Sequence, residues 1–160
     1  MSRAARRVAV SPEPLLAGQR HDYADAFVVD VDRPDGQPAE AWVRAGLEEA
    51  PAWLRRVILL AHRRVLRFQL GAVTAPDRVL GWRVAHAERD VVQLAAEGPL
   101  LCGTIVARRT GPCTARLSTF LTYRQPRLAR LAWLLAGPVH RRVAPYLLQR
   151  AASLMAARRS

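Results

Sequence analysis

The stretch Gln125-Pro126-Arg127-Leu128-Ala129-Arg130-Leu131-Ala132-Trp133-Leu134-Leu135-Ala136-Gly137-Pro138-Val139-His140-Arg141-Arg142-Val143-Ala144-Pro145-Tyr146 decides how the chain is read. Pro126 can open a helix, because its missing N–H falls where a helix has no partner for it. Leu128, Leu131, Leu135, Val139, Val143 and Tyr146 recur near helical spacing, which predicts one stripe buried against the rest of the protein. Helical residues continue to about Arg158, so the expectation is a long C-terminal helix. Pro138 and Pro145 each remove a backbone donor and clash with the preceding turn, at ~3 kcal/mol apiece in a straight helix. The reading therefore breaks or kinks the helix near Gly137-Pro138, where Pro138 starts a second segment, and bends it more mildly at Pro145.

Upstream of this helix the period changes. His21–Val31 alternates, with Tyr23, Phe27, Val29 and Val31 on one face and Asp30 on the other, and reads as a strand. Asp32-Arg33-Pro34-Asp35-Gly36 is a turn cluster. Pro38–Leu47 and Pro51–Phe68 read as two helices; the second carries Leu54, Val57, Ile58, Ala61, Val65 and Phe68 as its apolar positions. Four strand-like stretches follow, Arg78–His86, Val91–Glu97, Leu100–Arg109 and Cys113–Arg124. Turns at Glu88-Arg89-Asp90, Gly98-Pro99 and Thr110-Gly111-Pro112 separate them. The expected fold is α+β: an antiparallel sheet of about five strands, two short helices after the first strand, and a long, Pro-kinked C-terminal helix packed on the sheet. Residues 1–20, with an Arg-rich start and two prolines, read as a loose lead-in, and residues 21–160 as one domain.

Composition narrows the function classes. All 25 basic residues are Arg, and the net charge is +12. Residues 1–50 carry 6 Arg against 9 acids, residues 51–98 carry 8 against 4, and residues 99–160 carry 11 Arg and no acid. A basic C-terminal third attracts anions without specificity. No apolar run reaches the ~20 residues of a membrane span. The start lacks the apolar core of a signal peptide, so the expected compartment is the cytoplasm. Nucleic-acid binding is disfavoured, because neither a recognition-helix motif nor aromatics interleaved with the Arg occur. A membrane-surface role is weak in this reading, because packing on the sheet explains the apolar stripe more simply. A hairpin turning at Thr110-Gly111 would set Cys102 opposite about Thr119 and Cys113 opposite about Arg108, which argues against a disulfide.

The element order resembles the helix-grip fold of the Bet v 1-like superfamily, which includes START domains and polyketide cyclases. His21-Asp22-Tyr23-Ala24-Asp25-Ala26-Phe27, Arg78-Val79-Leu80-Gly81-Trp82 and Gly137–Tyr146 carry a closer likeness to a small bacterial family, the domain of unknown function 2867 family. The likeness spans roughly residues 21–157. It implies a pocket between the sheet and the last helix, holding an apolar or amphipathic small molecule. Some relatives are fused behind a reductase-like domain, which implies docking on such a protein as an alternative. The superfamily's sheet usually has more strands than the five counted here.

Candidate pocket residues are Trp82, Tyr123, His140 and Tyr146, because aromatics with a polar tip suit an amphipathic ligand. Ordinary core packing is the simpler account of these aromatics. Arg124, Arg141 and Arg142 are candidate contacts for an anionic group on that ligand. His62, His86 and His140 lack metal-ligand spacing, so no metal is expected. No phosphate-cradling glycine loop or nucleophile elbow occurs, so no cofactor and no catalytic residue are assigned. The acid-free stretch beyond residue 97 means that any pocket wall built from the last two strands and the last helix lacks a carboxylate. That favours a binding module over the alternative, a polyketide cyclase or isomerase-type enzyme using His140 or Tyr123 with an Arg.

Overall fold

A computed structural model describes residues 4–159. The strands are β1 (Arg6–Val8), β2 (Tyr23–Asp30), β3 (Arg78–Val79), β4 (Trp82–Glu88), β5 (Val91–Glu97), β6 (Leu101–Gly111) and β7 (Thr114–Tyr123). The helices are α1 (Ala39–Glu48), α2 (Ala52–Leu60, continued by a π-helical turn at Ala61–Val65) and α3 (Pro126–Ala157). All strands join one antiparallel sheet in the order β1-β2-β7-β6-β5-β4-β3.

The sheet thus has seven strands among the described residues, against about five expected. Two short strands account for the difference. Arg6–Val8, assigned to a loose lead-in, pairs with Ala26–Val28. Three residues are too few for alternation to show. The stretch Arg78–His86 is a tight hairpin, with Val79 paired to Trp82 across Leu80-Gly81. Both turn residues have positive φ, 49° at Leu80 and 87° at Gly81, as a two-residue hairpin turn of the primed type requires. Leucine rarely adopts this conformation. Its side chain is buried with Leu54, Ile58 and Leu147, which holds the turn.

Residues 4–20 also cover the sheet. A 3-10 turn at Pro14–Leu16 is capped by Glu13, whose carboxylate accepts from the Leu15 N–H, and Leu16 packs on Val91, Val106 and Phe120 of the outer face. Arg3 of the Arg-rich start lies outside the described residues. The β6–β7 turn falls beyond the expected one: Gly111 pairs with Thr114, Cys102 lies opposite Thr122, and Cys113 sits in the turn. Both cysteines are free.

The inner face is built by strict alternation. Tyr23, Asp25, Phe27 and Val29 of β2 lie opposite Leu121, Thr119, Leu117 and Ala115 of β7. On the next two strands Ile105 lies opposite Leu94, and Ala107 opposite Val92. Helices α1 and α3 cover this face. Gly46 lets them approach closely, because a Cβ there would stand 3.2 Å from the Leu147 carbonyl oxygen. The turn at Asp35 is tied to β6 through the Asp35–Arg109 ion pair at 2.6 Å, and Asp35 also accepts from the Trp42 indole at 3.0 Å.

Helix α3 runs through the break expected near Gly137-Pro138. It is one unbroken helix from Pro126 to Ala157, with both prolines inside it. Burying Trp133, Leu147, Leu148 and Met155 contributes roughly 1.5–3 kcal/mol each, enough to offset ~3 kcal/mol per proline. It also buries a different face. The inward residues are mostly small, among them Ala129, Ala132, Ala136, Gly137, Ala144 and Ala151, while of the predicted stripe Leu128, Leu131, Leu135, Val139 and Tyr146 are exposed and Val143 is half-buried. Small residues let the helix axis approach the sheet and α1, and large ones at those positions would hold it off.

Candidate functional site

Alternation along β2 places a carboxylate on the buried face between two aromatics. Asp25 is 1% exposed. Its Oδ2 accepts from the Tyr23 hydroxyl at 2.7 Å and from His140 Nε2 at 2.9 Å. Its Oδ1 is buried and has no hydrogen-bond partner among the described residues, and the same holds for Trp133 Nε1. Thr119 stands directly across the strand pair.

Helix α3 delivers His140 to this carboxylate. Trp133, two turns earlier on the inward face, lies 5.2 Å from the His140 ring and 4.8 Å from Tyr23, centroid to centroid. Phe27 closes the other side of His140, edge-on at 6.5 Å. Packed aromatics on both sides restrict the imidazole, and the carboxylate selects its orientation.

The electrostatics follow from the contacts. Burial alone would push the Asp25 carboxyl up. The hydrogen bond and charge of His140, the Tyr23 hydroxyl and the charge of Arg7 outweigh it and hold the carboxyl below its usual value of 3.8. Tyr23 moves the other way, to about 12, through burial first and then Asp25, against a hydrogen bond from Arg141 and the charge of Arg7. An ionised carboxylate can only accept, so Nε2 of His140 carries a proton and, in the neutral ring, Nδ1 holds the lone pair. Nδ1 has no hydrogen-bond partner among the described residues.

His140 forms part of the wall of a cavity of about 110 Å³ between α1, α2, β6, β7 and α3. Most of the lining is apolar: Val43, Leu47, Ile58, Ile105, Leu117 and Val139 are typical. Asp25 stands behind His140, outside the lining. The polar side chains that reach the wall include Thr119, Arg109 and His62. His62 comes from the π-helical turn, and its Nδ1 accepts from the Trp82 indole at 3.2 Å. Its ring lies edge-on to Phe68 and Trp82. Although the residue as a whole is only half-buried, removal of the ring from water, followed by the charge of His140, pushes the His62 imidazole down to about 4. At neutral pH it is an uncharged ring with its proton on Nε2. Among the described residues, no three His, Cys, Asp or Glu side chains are grouped to hold a metal ion.

The site residues expected from sequence scatter. His140 is in the cavity wall, and Arg141 beside it meets Tyr23. Trp82 is in the core one layer back, bonded to His62. Tyr123 is half-buried at the end of β7, outside the cavity lining, and Tyr146 is exposed on α3. Arg124 pairs with Glu97 and with the Gly98 carbonyl, bracing the β5–β6 turn. Arg142 is exposed. Tyr23, Asp25, Trp133 and His62 are site residues that the sequence expectations omit. The cavity lining holds no Asp or Glu among the described residues, and the carboxylate behind His140 comes from β2, which the sheet order sets beside β7. Period two along His21–Val31 carries that signal, because Asp25 falls on the same face as Tyr23 and Phe27.

No family model, no curated protein and no solved structure matches the chain.

Proposed function

We propose that this protein binds a small, mainly apolar molecule in the cavity under α3, within a helix-grip arrangement. The observation that carries the reading is the apolar cavity of about 110 Å³ with a polar wall at His140 and Thr119. A dry cavity of ~150 Å³ takes a molecule of benzene size, so the ligand, or the part of it that enters, is a single small ring or a short branched chain. The helix-grip part is supported by two helices between β2 and β3 and by a last helix lying on the sheet. Seven strands also remove the discrepancy with the larger sheets of the Bet v 1-like superfamily.

The test is native mass spectrometry of the purified protein, followed by titration with benzene, indole and cyclohexanone monitored by Trp fluorescence. Saturable quenching by at least one probe is expected, and Ala136→Phe, which fills the cavity, should abolish it. No co-purified molecule together with no saturable probe would end this reading.

A second reading is favoured by one observation, the Asp25–His140 pair behind the cavity wall. A buried carboxylate that orients an imidazole facing a pocket is the arrangement of a general base. In this reading His140 Nδ1 removes a proton next to a carbonyl of the bound molecule, as in cyclase or isomerase chemistry. Deuterium incorporation into cyclohexanone in D2O tests it. His140→Gln should slow exchange by roughly 10²-fold or more while leaving probe binding in place, and unchanged exchange removes His140 from the reaction.

A further inference from the structure

The outward face of α3 is apolar where a water-facing helix should be polar. Leu131, Leu134 and Leu135 are 57%, 71% and 64% exposed, and Leu128 and Val139 extend the ridge. On α2, Trp53, Val57 and Leu60 form a second exposed stripe at helical spacing. The two helices are neighbours: Leu54 and Ile58 of α2 pack in one cluster with Val143 and Leu147 of α3. Scattered surface leucines need no explanation, but aligned apolar stripes on neighbouring helices mark a contact surface.

The charges around these stripes say what kind of surface they meet. Arg56, Arg63 and Arg64 on α2 and its π-helical extension, and Arg127, Arg130 and Arg142 on α3, are exposed. None of the six forms an ion pair among the described residues. No Asp or Glu occurs from Ala52 to Val65 or anywhere in α3. Two copies of so cationic a face would repel each other, which disfavours self-association. Leucines flanked by Arg, with a Trp at the edge, form the composition that settles at a lipid headgroup boundary. No helix among the described residues is long and apolar enough to cross a membrane, so contact at the surface is the mode left to it.

We propose that the outward faces of α2 and α3 dock on the surface of an anionic lipid bilayer. The leucine ridge and Trp53 enter the boundary between headgroups and acyl chains, and the six Arg meet headgroup phosphates. The aliphatic stems of Arg127 and Arg130 can lie along the ridge while their guanidinium groups stay in the headgroup layer.

Vesicle flotation tests this with two preparations, phosphatidylcholine alone and phosphatidylcholine with a third of phosphatidylglycerol. The full chain should float with the anionic vesicles, scarcely with the neutral ones, and less as salt rises. The triple variant R127Q/R130Q/R142Q should bind the anionic vesicles on the order of 100-fold more weakly. L131Q/L134Q/L135Q should lose flotation while its circular dichroism and melting temperature stay close to the parent, because those residues are mostly exposed in the fold. Failure to float with anionic vesicles, or equal flotation with neutral ones, overturns the proposal. So does a parent dimer in sedimentation equilibrium that the leucine variant converts to monomer, which would assign the ridge to a second copy.

Discussion

His140 Nε2 donates to Asp25 Oδ2 at 2.9 Å across 115 residues of sequence, joining the middle of the last helix to the second strand of the sheet. Asp25 is enclosed while the His140 side chain is 20% exposed, and Tyr23 shares the same oxygen. Asp25→Ala would strand His140 and the Tyr23 hydroxyl without their acceptor, and should cost about 1–3 kcal/mol, the range for leaving buried donors unsatisfied. The urea midpoint measures it; a loss below about 1 kcal/mol would mean that the pair is solvated in solution.

The acid limb of stability should carry the signature of Asp25. Its carboxyl titrates lower in the fold than in the unfolded chain. The stabilisation is therefore complete above the unfolded value of 3.8 and is lost as pH falls through the still lower folded value. Asp25→Asn should flatten this limb, and unfolding curves between pH 5 and pH 2 would compare the two proteins.

His62 predicts a separate loss at milder pH. Its imidazole moves from 6.5 in the unfolded chain to about 4 in the fold. Between these values the unfolded chain binds the extra proton, so stability falls as pH drops from 6.5 towards 4, by ~3 kcal/mol in all. His62→Gln keeps an acceptor for the Trp82 indole and removes the titration. Urea midpoints at pH 7 and pH 5 should therefore differ less in the variant than in the parent.

Asp35 and Arg109 predict a loss that does not involve the Asp25–His140 pair. Their side chains are 0% and 6% exposed, and the Arg109 guanidinium also stands 4.9 Å over the Trp42 ring. Asp35→Ala leaves a buried guanidinium without its carboxylate and should cost about 3–5 kcal/mol. Arg109→Met, which removes the charge and keeps much of the volume, should rescue part of that loss in the double variant. Thermal unfolding of the two singles and the double closes the cycle.

Gly103 predicts a packing effect. A Cβ at this position would stand 2.8 Å from Phe68 and 2.9 Å from Trp82. Gly103→Ala should destabilise by about 1–3 kcal/mol, because two core rings have to move, and the same shift disturbs the Trp82–His62 bond. Chemical denaturation together with near-ultraviolet circular dichroism would register both.

The element order was legible in the chain because periodicity is local. Alternation in His21–Val31 and in the four later strands follows from the pleat, and the 3.6-residue recurrence in Pro51–Phe68 from the helix. Short elements escaped, because Arg6–Val8 and Arg78–Val79 are too brief to show a period. Asp25 was visible as a carboxylate on an apolar face, but its partner was not. Nothing local to Tyr23-Ala24-Asp25 points to a residue on the last helix.

What the sequence determined by itself is the antiparallel sheet, the long last helix and the one-sided charge, since each depends on neighbours a few residues apart. Tertiary structure decided which face of α3 is buried. The Leu stripe and the Ala stripe both have helical period, and the choice between them rests on how closely the helix must approach the sheet and Gly46. That choice turns His140 inward to Asp25 and the leucines outward. It needed the distance between α3 and its neighbours, a quantity that the spacing of residues along one helix does not contain.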